Sequence, residues 1–156
     1  MRNNAWLSEK MYELWENNFV DVARLNRVVI SFGRKSVRQL GCIKWASAET
    51  RGLKKILAET PKEAYEDPRI SMIIVTGYFK NPEIPDYVVE GTIAHEMCHY
   101  FHGFNSPLQQ LFDHPHKGGV IRKEMQKRGL GDTYKQANLW LKQNWHRHLK
   151  SIRGAR

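Results

Sequence analysis

Cysteine is nearly absent from this 156-residue chain: Cys42 and Cys98 are the only two, and no CxxC pair occurs. That excludes a cysteine-based zinc ribbon and gives no disulfide framework, so a reduced, cytoplasmic setting is expected. Long apolar runs are missing as well. The longest, Met72-Ile73-Ile74-Val75, falls far short of the ~20 residues that a membrane-spanning helix needs. The first residues, MRNNAWLSEKMYELWENNF, hold no basic start followed by an apolar core, so neither a secretory signal nor a membrane partner is expected. There is no internal repeat and no low-complexity tract. Carboxylates are scarce in one place only: residues 117–156 carry 11 Lys/Arg against Glu124 and Asp132, whereas residues 1–116 carry 14 of each sign.

The formal net charge of +9 therefore belongs to the last quarter of the chain. A one-signed stretch of that size attracts polyanions, nucleic acid first and an acidic membrane surface second. The plainer alternative is a solvated basic helix. Arg122, Lys123, Lys127, Arg128, Trp140, Lys142 and Arg147 are the candidate DNA contacts, because cations neutralise phosphates and aromatic rings stack on bases. Trp145 and His148 fall on an apolar stripe and are expected to pack, leaving Trp140 as the exposed ring.

With 41% hydrophobic and 26% charged residues, the chain has the composition of a globular domain. The expected division is a domain over residues 1–130 and a basic helical extension, 131–156, packed on it as a monomer. Leu7, Met11, Leu14, Trp15 and Phe19 recur at helical spacing, with Ser8 placed to cap. Residues 27–32, 40–46 and 70–79 read as strands. The last of these suits either a core strand or a sheet edge on which a substrate backbone lies. Residues 49–59 are ambiguous and lean to a short helix. After Pro82 and Pro85, Asp86 is placed to cap a helix running to His102 and ended by Gly103. A third helix is expected over 117–129. A fourth, capped by Asp132, carries the stripe Tyr134, Ala137, Leu141, Trp145, His148 and Ile152. This order predicts an α+β domain with helices gathered on one side of a small sheet.

The helix over 86–102 contains His95-Glu96-Met97-Cys98-His99. Residues four apart on a helix share a face, so both imidazoles reach one metal ion. Zinc suits such nitrogens, and catalytic zinc takes three protein ligands and keeps a fourth position for water. Glu96, rotated off the ligand row, addresses that water as a general base. A chain with 7 His and 11 Glu in 156 residues contains this HExxH pattern by chance roughly 0.02 times. The alternative is a His pair on a surface helix, but Ile93, Met97 and Tyr100 on the opposite face provide a core side. Cys98 reads as a small buried apolar residue.

The third ligand has to come from further along. His102 lies seven residues from His95, about 10 Å along the axis, too far for one compact site. The extended pattern HExxHxxGxxH needs glycine where this chain has His102 and histidine where it has Asn105, which excludes the metzincin arrangement. The ligand is expected from Phe112-Asp113-His114-Pro115-His116-Lys117-Gly118-Gly119, with His116, His114 and Asp113 as candidates.

Around these residues the chain resembles the SprT-like (Spartan) zinc metallopeptidases. There a helix bearing HExxH is followed, after a loop, by a third His that opens a short glycine-containing motif and a further helix. The matching stretch is Pro115-His116-Lys117-Gly118-Gly119-Val120-Ile121-Arg122-Lys123-Glu124-Met125, preceded by LWENNF, VVISFG, LGCIKWAS and SMIIVTG in the family's order, over roughly residues 8–130. The chain departs from the family at Lys117, where glycine is usual, at Val120, where an aromatic is usual, and in ending on a Trp-containing basic helix.

The resemblance implies a zincin-like domain with a three-stranded antiparallel or mixed sheet. It implies Zn2+ held by His95, His99 and His116, with Glu96 catalytic. It further implies an endopeptidase acting on proteins, including DNA-bound or DNA-crosslinked ones, and a nucleoid-associated location. The competing expectations are a nucleic-acid-binding protein with a structural zinc and a small-molecule amidohydrolase.

Overall fold

Asn3, rather than Ser8, starts the first helix: its side chain accepts a hydrogen bond from the backbone N–H of Trp6 at 2.9 Å, as a capping residue does. The computed structural model describes residues 1–59 and 63–154. Within it α1 (Asn4–Asn18) is followed by β1 (Arg27–Phe32), β2 (Gly41–Trp45), α2 (Leu53–Glu59), β3 (Ile70–Val75), α3 (Asp86–Phe101), α4 (Val120–Lys127) and α5 (Gly131–Gly154). The architecture is α+β with a small mixed sheet, as expected, and the ambiguous stretch 49–59 is helical from Leu53. Residues 155 and 156 of the expected extension lie outside the described residues.

The strand order is β1-β3-β2, with β1 parallel and β2 antiparallel to β3. β3 is therefore central, and the reading of it as a substrate-binding edge is corrected. Its apolar run reflects a strand covered on both faces. It also stops earlier than its composition suggests. The Thr76 hydroxyl donates to the Ser36 carbonyl and accepts from the Tyr78 N–H, turning Gly77–Lys80 into a short 3-10 helix. The free edge beside α3 belongs to β2.

Alternation along the strands sends Val28, Ile30, Ile43, Ile73 and Val75 into the main core with Leu7, Met11, Trp15, Ile93 and Met97 from α1 and α3. Val29 and Met72 point the other way, where Leu53 of α2 covers them. The helices are thus not all on one side, because a sheet apolar on both faces needs cover on both.

α3 enters after Pro85, which caps without a side-chain bond. Asp86, expected as the cap, instead pairs its carboxylate with the buried guanidinium of Arg2. That guanidinium also binds the carbonyls of Phe79, Asn81 and Ile84, fixing the start of the helix. The stretch 117–129 divides into a 3-10 turn, Lys117–Gly119, and α4. α5 packs on α3 closely: a Cβ on Gly91 would lie 3.1 Å from the Cβ of Ala137. Ala137, Trp145 and Leu149 are buried, and Tyr134, Leu141, His148 and Ile152 are half-buried, which reproduces the expected stripe. Trp145 donates its indole N–H to the Val37 carbonyl at 3.0 Å, tying α5 to the loop before β2.

Candidate metal centre

His95 and His99 project from one face of α3, and their Nε2 atoms are 3.0 Å apart. His116 comes from the loop before α4; its Nε2 lies 2.9 Å from that of His99 and 3.4 Å from that of His95. Nitrogens bonded to one tetrahedral ion at ~2.0–2.1 Å stand about 3.3 Å from each other, so these separations are close to what a single ion requires. Hydrogen bonding accounts for them poorly. Each ring Nε2 is either a donor or an acceptor, and three such atoms in a triangle always leave one pair mismatched. His95, His99 and His116 can therefore hold a metal ion. In the protein alone, burial holds His95 down to about 4, with the charge of His116 a lesser cause. Burial, then the other histidines, holds His99 down to about 3. Both rings are neutral at neutral pH, the form that ligates metal.

The loop delivers His116 because two successive residues after Lys117 adopt the left-handed conformation: Gly118 at φ 76° and Gly119 at φ 66°. Only glycine takes such a pair without strain. Lys117, at the position where the resembled motif has glycine, is not one of the left-handed residues. Beyond the turn, α4 is held to α3 and α1 by a chain of polar contacts. Fully buried His102 meets Glu124 through Nε2 and Oε1 at 3.0 Å. The other oxygen of Glu124 accepts from Arg128 Nε at 3.0 Å, and Arg128 reaches Asp21 at 2.7 Å and the Asn18 carbonyl at 3.0 Å. His102 is thus a tie between helices, not a ligand. His114 and Asp113 are exposed and stand outside the histidine cluster.

Glu96 is buried, at 5% exposure, and makes no hydrogen bond among the described residues. Burial without a partner pushes its carboxyl up to about 8. It faces the start of β2: a Cβ on Gly41 would stand 3.2 Å from Glu96 Oε1 and 2.7 Å from Thr92 Cγ2. Glycine at 41 is what lets the strand pass this close to the carboxyl. Cys98 is buried, as expected, with its thiol pushed up by burial. Cys42 is half-buried, its thiol raised by burial and then by the nearby Glu96.

The three histidines and Glu96 open into a groove of ≈ 520 Å³, with β2 from Gly41 to Ile43 on one side and Tyr134, Asn138 and Leu141 of α5 on the other. The sequence reading missed these walls. Gly41 had a visible signal, a glycine leading a strand, but what it approaches depends on tertiary contacts. The role of α5 as a wall follows from the Gly91–Ala137 contact, which joins positions far apart in the chain.

The expected nucleic-acid residues fare unevenly. Arg122, Lys123 and Lys127 on α4 and Lys142 on α5 are exposed. Arg147 is exposed but bonds back to Gln143 and Asn144 of its own helix. Arg128 is committed to Glu124 and Asp21, with its side chain at 6% exposure, and is corrected from a nucleic-acid contact to a structural one. Trp140, expected as the exposed ring, is half-buried, with its ring centroid 6.2 Å from that of His148 at a steep interplanar angle. A denser basic cluster lies elsewhere, where Arg38, His146, Lys150 and Arg153 surround Val37, Trp145 and Leu149. Among the described residues, Arg38, Lys150 and Arg153 make no ion pair. No described helix is long and apolar enough to cross a membrane.

Comparison of the chain with family models, with curated proteins and with solved structures finds no match.

Proposed function

We propose that this protein is a zinc-dependent endopeptidase of the zincin type. The observation that carries the reading is the convergence of three Nε2 atoms at 2.9–3.4 Å beside a buried, unpartnered carboxyl, all opening into one groove. Structural zinc sites are closed by four protein ligands, whereas catalytic ones keep a position free. Among the described residues no fourth ligand joins the three histidines. An all-nitrogen donor set suits zinc better than magnesium or calcium, which prefer oxygen.

When bound, the ion supplies Lewis-acid polarisation of a substrate carbonyl and acidifies the neighbouring water. With an ion held by His95, His99 and His116, Glu96 in its ionised form would take a proton from a water in the groove and pass it to the departing amide nitrogen. The ion's positive charge would favour that ionised form over the neutral one that burial favours in the protein alone. His95 and His99 hold their positions through the rigid spacing of α3, and the ring of His99 is steadied edge-on by Phe104 at 6.2 Å. The substrate backbone lies along the free edge of β2, a main-chain mode of recognition that accepts many sequences.

The basic cluster of Arg38, His146, Lys150 and Arg153 supports nucleic-acid contact as well, since cations without carboxylate partners favour a polyanion. On that reading the substrates include DNA-bound or DNA-crosslinked proteins. The test is to incubate zinc-loaded protein with an unfolded polypeptide and with a DNA–protein crosslink, and to read the products by mass spectrometry. Fragments that cease on chelation and return with added zinc are expected. Intact substrates together with salt-dependent DNA binding would replace the peptidase by a nucleic-acid-binding protein with a structural metal.

A further inference from the structure

The edge of β2 that faces the groove is not free along its whole length. Thr76 N–H donates to the Leu40 carbonyl and Ala46 N–H to the Ile70 carbonyl, both at 2.8 Å, so residues 40 and 46 turn their main-chain groups towards β3. In an antiparallel ladder this direction alternates residue by residue. Cys42 and Lys44 therefore also bond inward, and the N–H and C=O groups of Gly41, Ile43 and Trp45 point outward. Of these, the Ile43 carbonyl already has a partner: the side-chain amide of Asn105 donates to it at 3.0 Å.

Asn105 is built for this contact. It is the only non-glycine residue with positive φ among those described, at 52°, a conformation that asparagine tolerates better than most residues. Its own carbonyl accepts from the hydroxyl of Ser71 at 2.7 Å, and Ser71 is fully buried in β3. The left-handed turn is thus pinned to the sheet from below, and the side chain is presented to the strand edge from the groove side, where Asn105 is exposed.

We propose that Asn105 ends the substrate ladder and so sets the length over which this enzyme grips a peptide. The inference rests on the peptidase reading and on β2 as the substrate edge. Glu96 stands at Gly41, and Asn105 blocks two residues further on, about 7 Å at the rise of a strand. A substrate strand pairs with the N–H and C=O of Gly41 and with the N–H of Ile43, and main-chain pairing then stops. On that arm, residues beyond the second from the scissile bond gain no ladder hydrogen bonds. On the other arm β2 itself begins at Gly41, so the ladder a substrate can form is short and Asn105 fixes its far end.

The test uses a Glu96→Gln background, so that peptides bind without being cut, and a peptide series lengthened one residue at a time on each side of a mapped cleavage site. Affinity for the zinc-loaded chain is expected to plateau after about two residues on the side that runs along β2 towards Asn105. Asn105→Gly keeps the left-handed backbone and removes the amide. In that variant the plateau should disappear, with longer peptides binding several-fold tighter and short ones unchanged. Asn105→Asp keeps the shape but cannot donate, and it should weaken the cap in the same length-dependent manner.

An equal gain for peptides of every length would mean that Asn105 is a displaceable strap and would overturn the proposal. An unchanged length profile in Asn105→Gly would do the same while leaving the peptidase reading intact, because wild-type cleavage is scored separately. No binding of any peptide, together with no cleavage by the wild type, would remove both.

Discussion

Glu96→Gln is expected to abolish hydrolysis while leaving metal content unchanged. The substitution keeps the shape of a buried side chain at 5% exposure but removes its ability to accept and return a proton. General acid–base groups of this kind contribute about 10²–10⁴-fold to rate, and a loss of that size should appear in kcat with little change in KM. The fold should tolerate the change well. Glu96 has no hydrogen-bond partner among the described residues, and burying a lone carboxyl is unfavourable, so the neutral amide should leave the thermal midpoint of the metal-free protein equal or higher. Zinc stoichiometry by elemental analysis and turnover of a fluorogenic peptide measure the two halves separately. Wild-type-like turnover in this variant would eliminate Glu96 as the base.

The second large effect concerns the third ligand. His116→Ala is expected to weaken zinc binding by more than ~100-fold, since loss of a mere supporting contact to a ligand costs 10–100-fold. Because His116 is exposed and belongs to a loop, the truncation should leave the metal-free fold intact. In the wild type, zinc raises the melting midpoint by an amount that grows with the logarithm of free zinc over its dissociation constant; in His116→Ala that rise should largely vanish at the same zinc concentration. His114→Ala, two residues away and outside the cluster, should behave like the wild type. The opposite pattern would transfer the ligand role to His114 and discard the loop geometry derived from Gly118 and Gly119.

The parts of this site that the sequence makes legible are those fixed by local spacing. HEMCH places two rings on one helical face whatever the rest of the chain does, and the run Val28-Val29-Ile30 declares a strand. What local spacing does not carry is pairing. Met72-Ile73-Ile74-Val75 has the composition of a strand in either a central or an edge position, and only its ladders to both β1 and β2 place it in the middle. For the same reason the face on which α2 docks was misjudged: alternation at Val29 and Met72 leaves an apolar surface that Leu53 must cover.

Charge misled in a comparable way. Arg128 counts as +1 in any composition, yet Glu124 and Asp21 surround it in the fold. Arg38, distant in sequence, joins His146, Lys150 and Arg153 instead. Among the candidate ligands, His116 and His114 differ in nothing a spacing rule detects. The resemblance to the SprT-like motif favoured His116, and two adjacent left-handed glycines supply the physical reason.

The most direct test of the central claim is zinc K-edge X-ray absorption on the purified 156-residue chain reconstituted with one equivalent of zinc. Three imidazole nitrogens at ~2.0–2.1 Å and one additional oxygen are predicted. A sulfur shell at ~2.3 Å, which would place Cys42 on the metal, or fewer than two imidazoles at the ion, would contradict it.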